Sequence, residues 1–176
     1  MISGYTKEPK QNAMKIEMMI DDHWPDVRKI YEQGIATRNA TFQTLAPSWE
    51  EWDKAHSSEV RLVAVINQQV VGWAAISPVS TRYVYRGVAE VSVYVNSDFR
   101  GNGVGFKLLQ ALIHLSEEKG FWTLQAGIFP ENIASLKIHE NLGFRVVGTR
   151  EKIGKMEETW RNTMLLERRS TIAGLN

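Results

Sequence analysis

Between Val88 and Gly105 the sequence sets a carboxylate and a glycine turn within one short span: VAEVSVYV, then NSDF, then Arg100-Gly101-Asn102-Gly103-Val104-Gly105. VAEVSVYV alternates as a strand does, with Glu90, Ser92 and Tyr94 on one face and Ala89, Val91, Val93 and Val95 on the other. Glu90 is thus a carboxylate amid β-branched apolar sequence. Taken alone, it reads either as a solvated glutamate at a strand end or as a base held beside a site. Two glycines at i and i+2, where a helix begins, let the backbone approach a ligand while the first helical N–H groups point outward unpaired. Such a terminus favours phosphate. On spacing alone the same turn serves equally well as a plain strand-to-helix connection. Two phosphate loops are excluded: a dinucleotide fingerprint needs glycine three residues past its second, where Phe106 or Leu108 stands, and no Lys-Ser/Thr pair follows to make a Walker loop.

The elements that must position these residues are legible on either side. Asp21 and Asp22 precede Pro25, with Val27, Ile30 and Tyr31 at helical spacing, predicting a first helix that ends near Gly34. A long connector carrying Phe42 leads to Ser48 and Glu51, a capping-box pattern that predicts a second helix through Trp49 and Trp52 to about Ser57. RLVAVI (61–66) and VVGWAAI (70–76) form a predicted hairpin of central strands. A loop over 77–87 with Arg82, Tyr83, Tyr85 and Arg86 feeds the Glu90 strand. After the glycine turn a helix is predicted over 104–119, with Leu108, Leu109, Leu112 and Leu115 on one face, closed by Gly120. A strand over 122–128, a short helix capped by Asn132 and running to about Asn141, a strand over 144–150 and a closing strand in TWRNTMLLER complete the order.

The 176 residues, 43% apolar and 23% charged, predict a single domain over 14–169, with a polar leader over 1–13 and a tail over 170–176 that both fray. Twenty-one Lys and Arg against twenty Asp and Glu leave a net charge of +1, so neither nucleic acid nor an anionic membrane is an expected partner. The chain has no cysteine, which excludes disulfides, thiolate zinc sites and a Cys-borne acyl-enzyme. The histidines at 23, 56 and 114 are scattered, and no metal is expected. No apolar run approaches the roughly twenty residues of a membrane span, and the first residues lack a secretory signal, so the sequence reads as cytoplasmic.

The motifs together resemble a known family. Arg100-x-x-Gly103-x-Gly105 behind VSVYV is similar to the acetyl-CoA pyrophosphate loop of the GCN5-related N-acetyltransferases (GNAT). Arg82, Tyr85 and Arg86, followed in register by Glu90, Ser92, Val93, Tyr94 and Val95, resemble the R-x-x-Y-R…E-x-S-V-Y-V pattern of the phosphinothricin and methionine sulfoximine acetyltransferases. Asn132, Ala134 and Ser135, then His139, Glu140, Gly143 and Phe144, match that branch's N-x-A-S and L-H-E-x-x-G-F elements, with Ile138 in place of the usual Leu. There are departures. Val88 replaces a usual threonine, and GKMEETWRN replaces G-x-K-F-G-R-W-x-D, keeping Lys155 and Trp160 at shifted spacing.

The resemblance implies an α+β fold: a mixed, mostly antiparallel sheet with a splayed parallel pair and about four helices. It implies acetyl-CoA as co-substrate, held by the backbone of Val93, Tyr94 and Val95 and by N–H groups from Gly101, Asn102, Gly103, Val104, Gly105 and Phe106, with Arg100, Asn132 and Ser135 beside it. An alkyl ammonium titrates near 10, so the family's direct transfer to a primary amine needs a proton acceptor, here Glu90. His139 stands where many of the wider superfamily carry a tyrosine that protonates the departing thiolate, and is the expected general acid. Phe42, Arg82, Tyr85 and Arg86 are the expected contacts to a small amino-acid-like substrate. A homodimer is expected, and Trp49 and Trp52 read as an exposed pair suited to its interface. Acetylation of protein N-termini or lysines, a non-catalytic acyl-CoA-binding module and a nucleotide-phosphate binder are the rival readings.

Overall fold

The computed structural model describes residues 13–175, so the leader expected over 1–13 lies almost entirely outside the described residues. Seven strands form one sheet: β1 (Lys15–Met18), β2 (Arg61–Ile66), β3 (Gln69–Pro78), β4 (Val88–Val95), β5 (Thr123–Ile128), β6 (Arg145–Met156) and β7 (Thr159–Arg169). Their spatial order is β1-β2-β3-β4-β5-β7-β6. All neighbours are antiparallel except β4 and β5, which are parallel. Four helices cover the faces: α1 (Trp24–Ala36), α2 (Trp49–Ala55), α3 (Val104–Glu118) and α4 (Ile133–Asn141).

The buried strands β2 and β3 carry near-continuous apolar sequence because helices cover them on both sides. Leu62, Ala64, Ala74 and Ile76 join Ala89 and Val91 of β4 beneath Leu108, Leu109 and Leu112 of α3. On the other face Val63, Trp73 and Ala75 meet Val27 and Ile30 of α1 and Trp52 of α2. Trp52 is therefore core, at 1% exposure, packed against Trp24 and Trp73. The expected exposed Trp49–Trp52 pair is corrected: the capping box at Ser48 and Glu51 forms as predicted, but the helix it starts turns Trp52 inward.

Three further differences have physical reasons. β1 is a four-residue edge strand, too short for its alternation to register in the sequence. β6 runs to Met156, past the predicted 150, because its distal half stands in water with almost every residue exposed and has no apolar alternation to announce it. The tail does not fray over 170–175: Ser170 and Ala173 are buried, and the Arg169 guanidinium donates to the carbonyls of Trp122, Ser170, Ala173 and Gly174.

A half-buried and a buried histidine link the fold to pH. His56 lies stacked on Trp52 with ring centroids 4.1 Å apart, and His139 is 4% exposed. Burial lowers both below the ordinary value of 6.5, with Arg61 lowering His56 further and a backbone hydrogen bond partly offsetting each. As pH falls below 6.5 the unfolded chain takes up protons that the folded chain refuses, so stability decreases until the folded pKa values are passed. The melting temperature should drop between about pH 7 and about pH 5, and drop less steeply in His56→Gln. A slope unchanged by that substitution would remove His56 from the transition.

Candidate active site

The glycine turn has the backbone that its sequence requires. Gly101 and Gly103 adopt φ of +79° and +75°, and Gly103 is the N-cap of α3. Helical pairing begins with Lys107, whose N–H donates to the Gly103 carbonyl. The N–H groups from Gly101 to Phe106 have no partner among the described residues and form a cradle for an anion. The Asn102 side-chain amide donates to the carbonyls of Phe99 and Arg100, bracing the turn while its backbone N–H stays free among the described residues.

That groove, of about 610 Å³, runs along a gap in the sheet. β4 and β5 pair only from Val88 to Glu90 against Thr123 to Gln125, after which they diverge. The β5-facing side of β4 is consequently unpaired through Val95, and Val93, Tyr94 and Val95 line the groove together with Arg100, Gly101, Gly103, Val104, Gly105 and Phe106. Lys137 of α4, unremarked in the sequence, adds a second cation. An extended chain ending in a pyrophosphate fits these features: free strand polar groups beside one end, unpaired N–H groups and Arg100 at the other.

A second cavity, of about 500 Å³, holds Glu90 and meets the groove at Ala40, Val93, Tyr94, Asn132, Ser135 and His139. Glu90 sits at the fork itself, on the last paired residue of β4, and its Oε2 accepts a hydrogen bond of 3.2 Å from Gln125 of β5. Phe42 lines this cavity, edge-on to Phe129 at 4.9 Å. Its connector is tied down from two sides. Arg161 of β7 lies 3.9 Å over Phe129 and donates to the Arg38 carbonyl, the Asn39 side chain and Glu131. Asn132 donates to the Asn39 carbonyl while its Oδ1 caps α4 by accepting from Ser135 N–H, so its side chain is committed to scaffolding. Tyr94 turns its ring into the core, stacked on Trp73 at 4.8 Å and edge-on to Tyr31, and burial holds its hydroxyl well above the usual tyrosine range.

His139 faces both cavities, yet its geometry does not suit the expected general acid. Its Nδ1 stands 2.8 Å from the Ser135 carbonyl, which accepts only, so Nδ1 carries a proton committed to that bond. Burial keeps the ring neutral at neutral pH, leaving Nε2 as an acceptor with no proton to give.

Arg82, Tyr85 and Arg86 line neither cavity. They belong to an exposed loop with a 3-10 turn over Tyr83–Tyr85, where Arg86 stacks 4.2 Å from the Tyr83 ring and 5.1 Å from Trp122, and Arg82 lies 5.5 Å from Tyr85. The cavity's cation is instead Arg150 of β6, which nothing in the sequence singles out because its exposed, polar strand shows no alternation.

The Acetyltransferase (GNAT) family model matches residues 16–144. The chain is 34% identical, over 77% of its length and 83% of the relative's, to an L-methionine sulfoximine/L-methionine sulfone acetyltransferase of Pseudomonas aeruginosa. It is 31% identical to a phosphinothricin N-acetyltransferase of Alcaligenes faecalis, over 89% of this chain and 82% of that one. An acetyltransferase of Salmonella typhimurium solved with its cofactor acetyl-CoA superposes with a TM-score of 0.81 at 26% identity, covering 90% of this chain and 94% of the other. The parallel pair splayed beside a glycine turn, the four helices and these matches agree: the chain belongs to the acetyltransferase (GNAT) family, in its phosphinothricin and methionine sulfoximine acetyltransferase branch, and is an acetyl-CoA-dependent N-acetyltransferase.

Proposed function

We propose that the protein acetylates the primary amine of a small amino acid or amino-acid analogue of the methionine sulfone, methionine sulfoximine or phosphinothricin type, with Glu90 as the proton acceptor. The observation that carries this reading is the junction of the two cavities at Glu90: an acid-bearing pocket of about 500 Å³, closed by Phe42, opens sideways into the groove beside the glycine turn. That volume suits a small molecule rather than an extended peptide. The names of the relatives point to the same substrates.

Acetyl-CoA supplies a thioester whose carbonyl carbon is attacked and whose thiolate leaves. Every other part falls to the protein. Val93 to Val95 and the N–H groups from Gly101 to Phe106 fix the thioester's position, with Arg100 and Lys137 adding charge toward phosphate. Glu90 accepts the ammonium proton through water, generating the neutral amine within reach of the thioester. Gln125 holds the Glu90 carboxylate in place through its Nε2. Neutral His139 keeps Nε2 available as an acceptor at the junction. The chain has no cysteine to carry the acetyl group, which suits direct attack by the amine.

Direct attack requires both substrates bound at once. Initial rates measured against acetyl-CoA at several methionine sulfone concentrations should give intersecting double-reciprocal lines; parallel lines would overturn direct transfer. We further propose a homodimer. Its support is the exposed apolar surface of β6 and its hairpin partner, Val146, Val147, Ile153 and Trp160, together with Tyr83 and Val84 of the 82–86 loop. Sedimentation equilibrium at twice the 20.0 kDa chain mass is the expected result, and a monomer at micromolar concentration contradicts it. No helix among the described residues is long and apolar enough to cross a membrane.

A further inference from the structure

The chain has eleven arginines. Among the described residues nine of them have a polar or aromatic partner: Arg28, Arg38, Arg61, Arg145, Arg161, Arg168 and Arg169 through hydrogen bonds, Arg86 through Tyr83, and Arg82 through the ring of Tyr85. The two without one are Arg100 and Arg150, and each lines a cavity: Arg100 the groove at the glycine turn, Arg150 the pocket that contains Glu90. Both are exposed and meet water in the free protein, so at a pocket wall each is available to a ligand's negative charge.

The wall that carries Arg150 is shaped by a defect in β6. On the regular part of the β6–β7 ladder Arg150 pairs with Thr163, and pairing resumes with Gly154 opposite Arg161. Three residues of β6, 151–153, therefore face the single residue Asn162 of β7. Lys152 takes φ of +46°, and its N–H donates to the Asn162 side chain at 2.8 Å, which fixes the bulge. The consequence shows in the lining. Arg150 and Ile153 both face the cavity although they are three apart, a spacing that a regular strand would send to opposite faces. The bulge thus brings Ile153 to the wall that Arg150 already shares with its partner Thr163, and Gly154 just beyond it comes so close to Phe42 that an added Cβ would lie 2.8 Å from the ring.

Among the described residues Glu90 and Arg150 are the only Asp, Glu, Lys or Arg side chains lining the pocket. We infer that Arg150 binds the carboxylate of the substrate while Glu90 faces its amine, so the enzyme selects zwitterionic α-amino acids over amines that lack the acid. This inference rests on the small-amino-acid reading above and refines it, giving Arg150 the clamp role that the sequence suggested for Arg82 and Arg86. A guanidinium–carboxylate contact in a partly enclosed site is worth about tenfold to a hundredfold in affinity.

The test pairs two substrates with three proteins. Methionine sulfone and its carboxamide, which keeps the amine and loses the charge, are compared as substrates of the wild type, Arg150→Met and Arg150→Lys. The wild type should prefer the acid. Arg150→Met should collapse the acid-over-amide ratio of kcat/KM by about tenfold or more, mainly through KM, and Arg150→Lys should restore part of it. Equal losses on both substrates, or no loss on the acid, would overturn the clamp. Calorimetric binding of the same two compounds to the CoA-loaded proteins separates this inference from the reading it rests on. Binding that loses its acid preference in Arg150→Met supports the clamp even if neither compound is acetylated, in which case the amino-acid substrate reading alone fails. Binding of the acid that is indifferent to Arg150 overturns the clamp even if the wild type acetylates methionine sulfone.

Discussion

Glu90→Gln should lower kcat for acetyl transfer by about 10²- to 10⁴-fold, the usual contribution of a positioned general base. The substitution is nearly isosteric, and the amide oxygen at 90 can still accept from Gln125, so the fork between β4 and β5 keeps its geometry. What disappears is the ability to take a proton. An alkyl ammonium titrates near 10, so at pH 7 only about one amine in a thousand is already neutral, and the variant is left to draw on that fraction. Its rate should therefore climb about tenfold per pH unit toward pH 10, whereas the wild type levels off earlier. Glu90 lines the substrate cavity and not the groove, so acetyl-CoA affinity, read by calorimetry, should stay near the wild-type value. A variant with full activity near neutral pH would remove Glu90 from the chemistry. A parallel loss of acetyl-CoA binding would show that it acts by holding the fork.

The second large effect is expected at the glycine turn. Gly103→Val sets a β-branched residue at φ +75°, a conformation that costs such a side chain about 1–3 kcal/mol. No protein atom lies within 4 Å of the added Cβ, so the folded chain has room for it and the strain is the main cost to stability. The side chain then projects at the mouth of the groove, where the outward N–H groups must be approached closely. The KM for acetyl-CoA should rise by about tenfold or more. Gly120→Val provides the control, because Gly120 has φ of +85° with equally open surroundings but lies past the other end of α3 and lines neither cavity. It should show a similar drop in melting temperature with acetyl-CoA binding intact. Equal damage to binding in both variants would attribute the effect to backbone strain, not to the turn's contact with the ligand.

Much of this architecture is legible in the sequence because a single local signal decides each piece. The Ser48–Glu51 capping box, the Asn132 cap, the leucine face of α3 and the β-branched run of β4 each form where their patterns place them. Glu90 and the glycine turn lie near one another for the same reason, because strand, turn and helix are contiguous, whereas Phe42 and His139 are brought to them by long-range packing such as the bonds from Asn132 and Arg161 to the 38–39 backbone. What the sequence concealed depends on long-range relations. Trp52 reads as exposed in a charged heptapeptide until α1 and Trp73 are packed over it. Arg82 and Arg86 read as clamps because they precede the Glu90 strand, but the 3-10 turn at Tyr83 directs them to neighbouring rings. Arg150 is the converse case. Its place in the pocket comes from pairing with Thr163 of β7, in a strand whose polar sequence shows no alternation, and the bulge that Asn162 sets beyond it brings Ile153 to the same wall. His139 has the position of an acid and the burial of a neutral ring, and only the second is visible once α4 is folded against Phe144.

Thiol release from acetyl-CoA, followed with methionine sulfone, methionine sulfoximine, phosphinothricin, unmodified amino acids and a short peptide, tests most directly whether small amino-acid amines are acetylated here. The predicted result is turnover with the sulfone, the sulfoximine or phosphinothricin well above that with the peptide, matched by equal formation of N-acetylated product. Turnover with the peptide alone, or tight acetyl-CoA binding with no turnover on any amine, would contradict it.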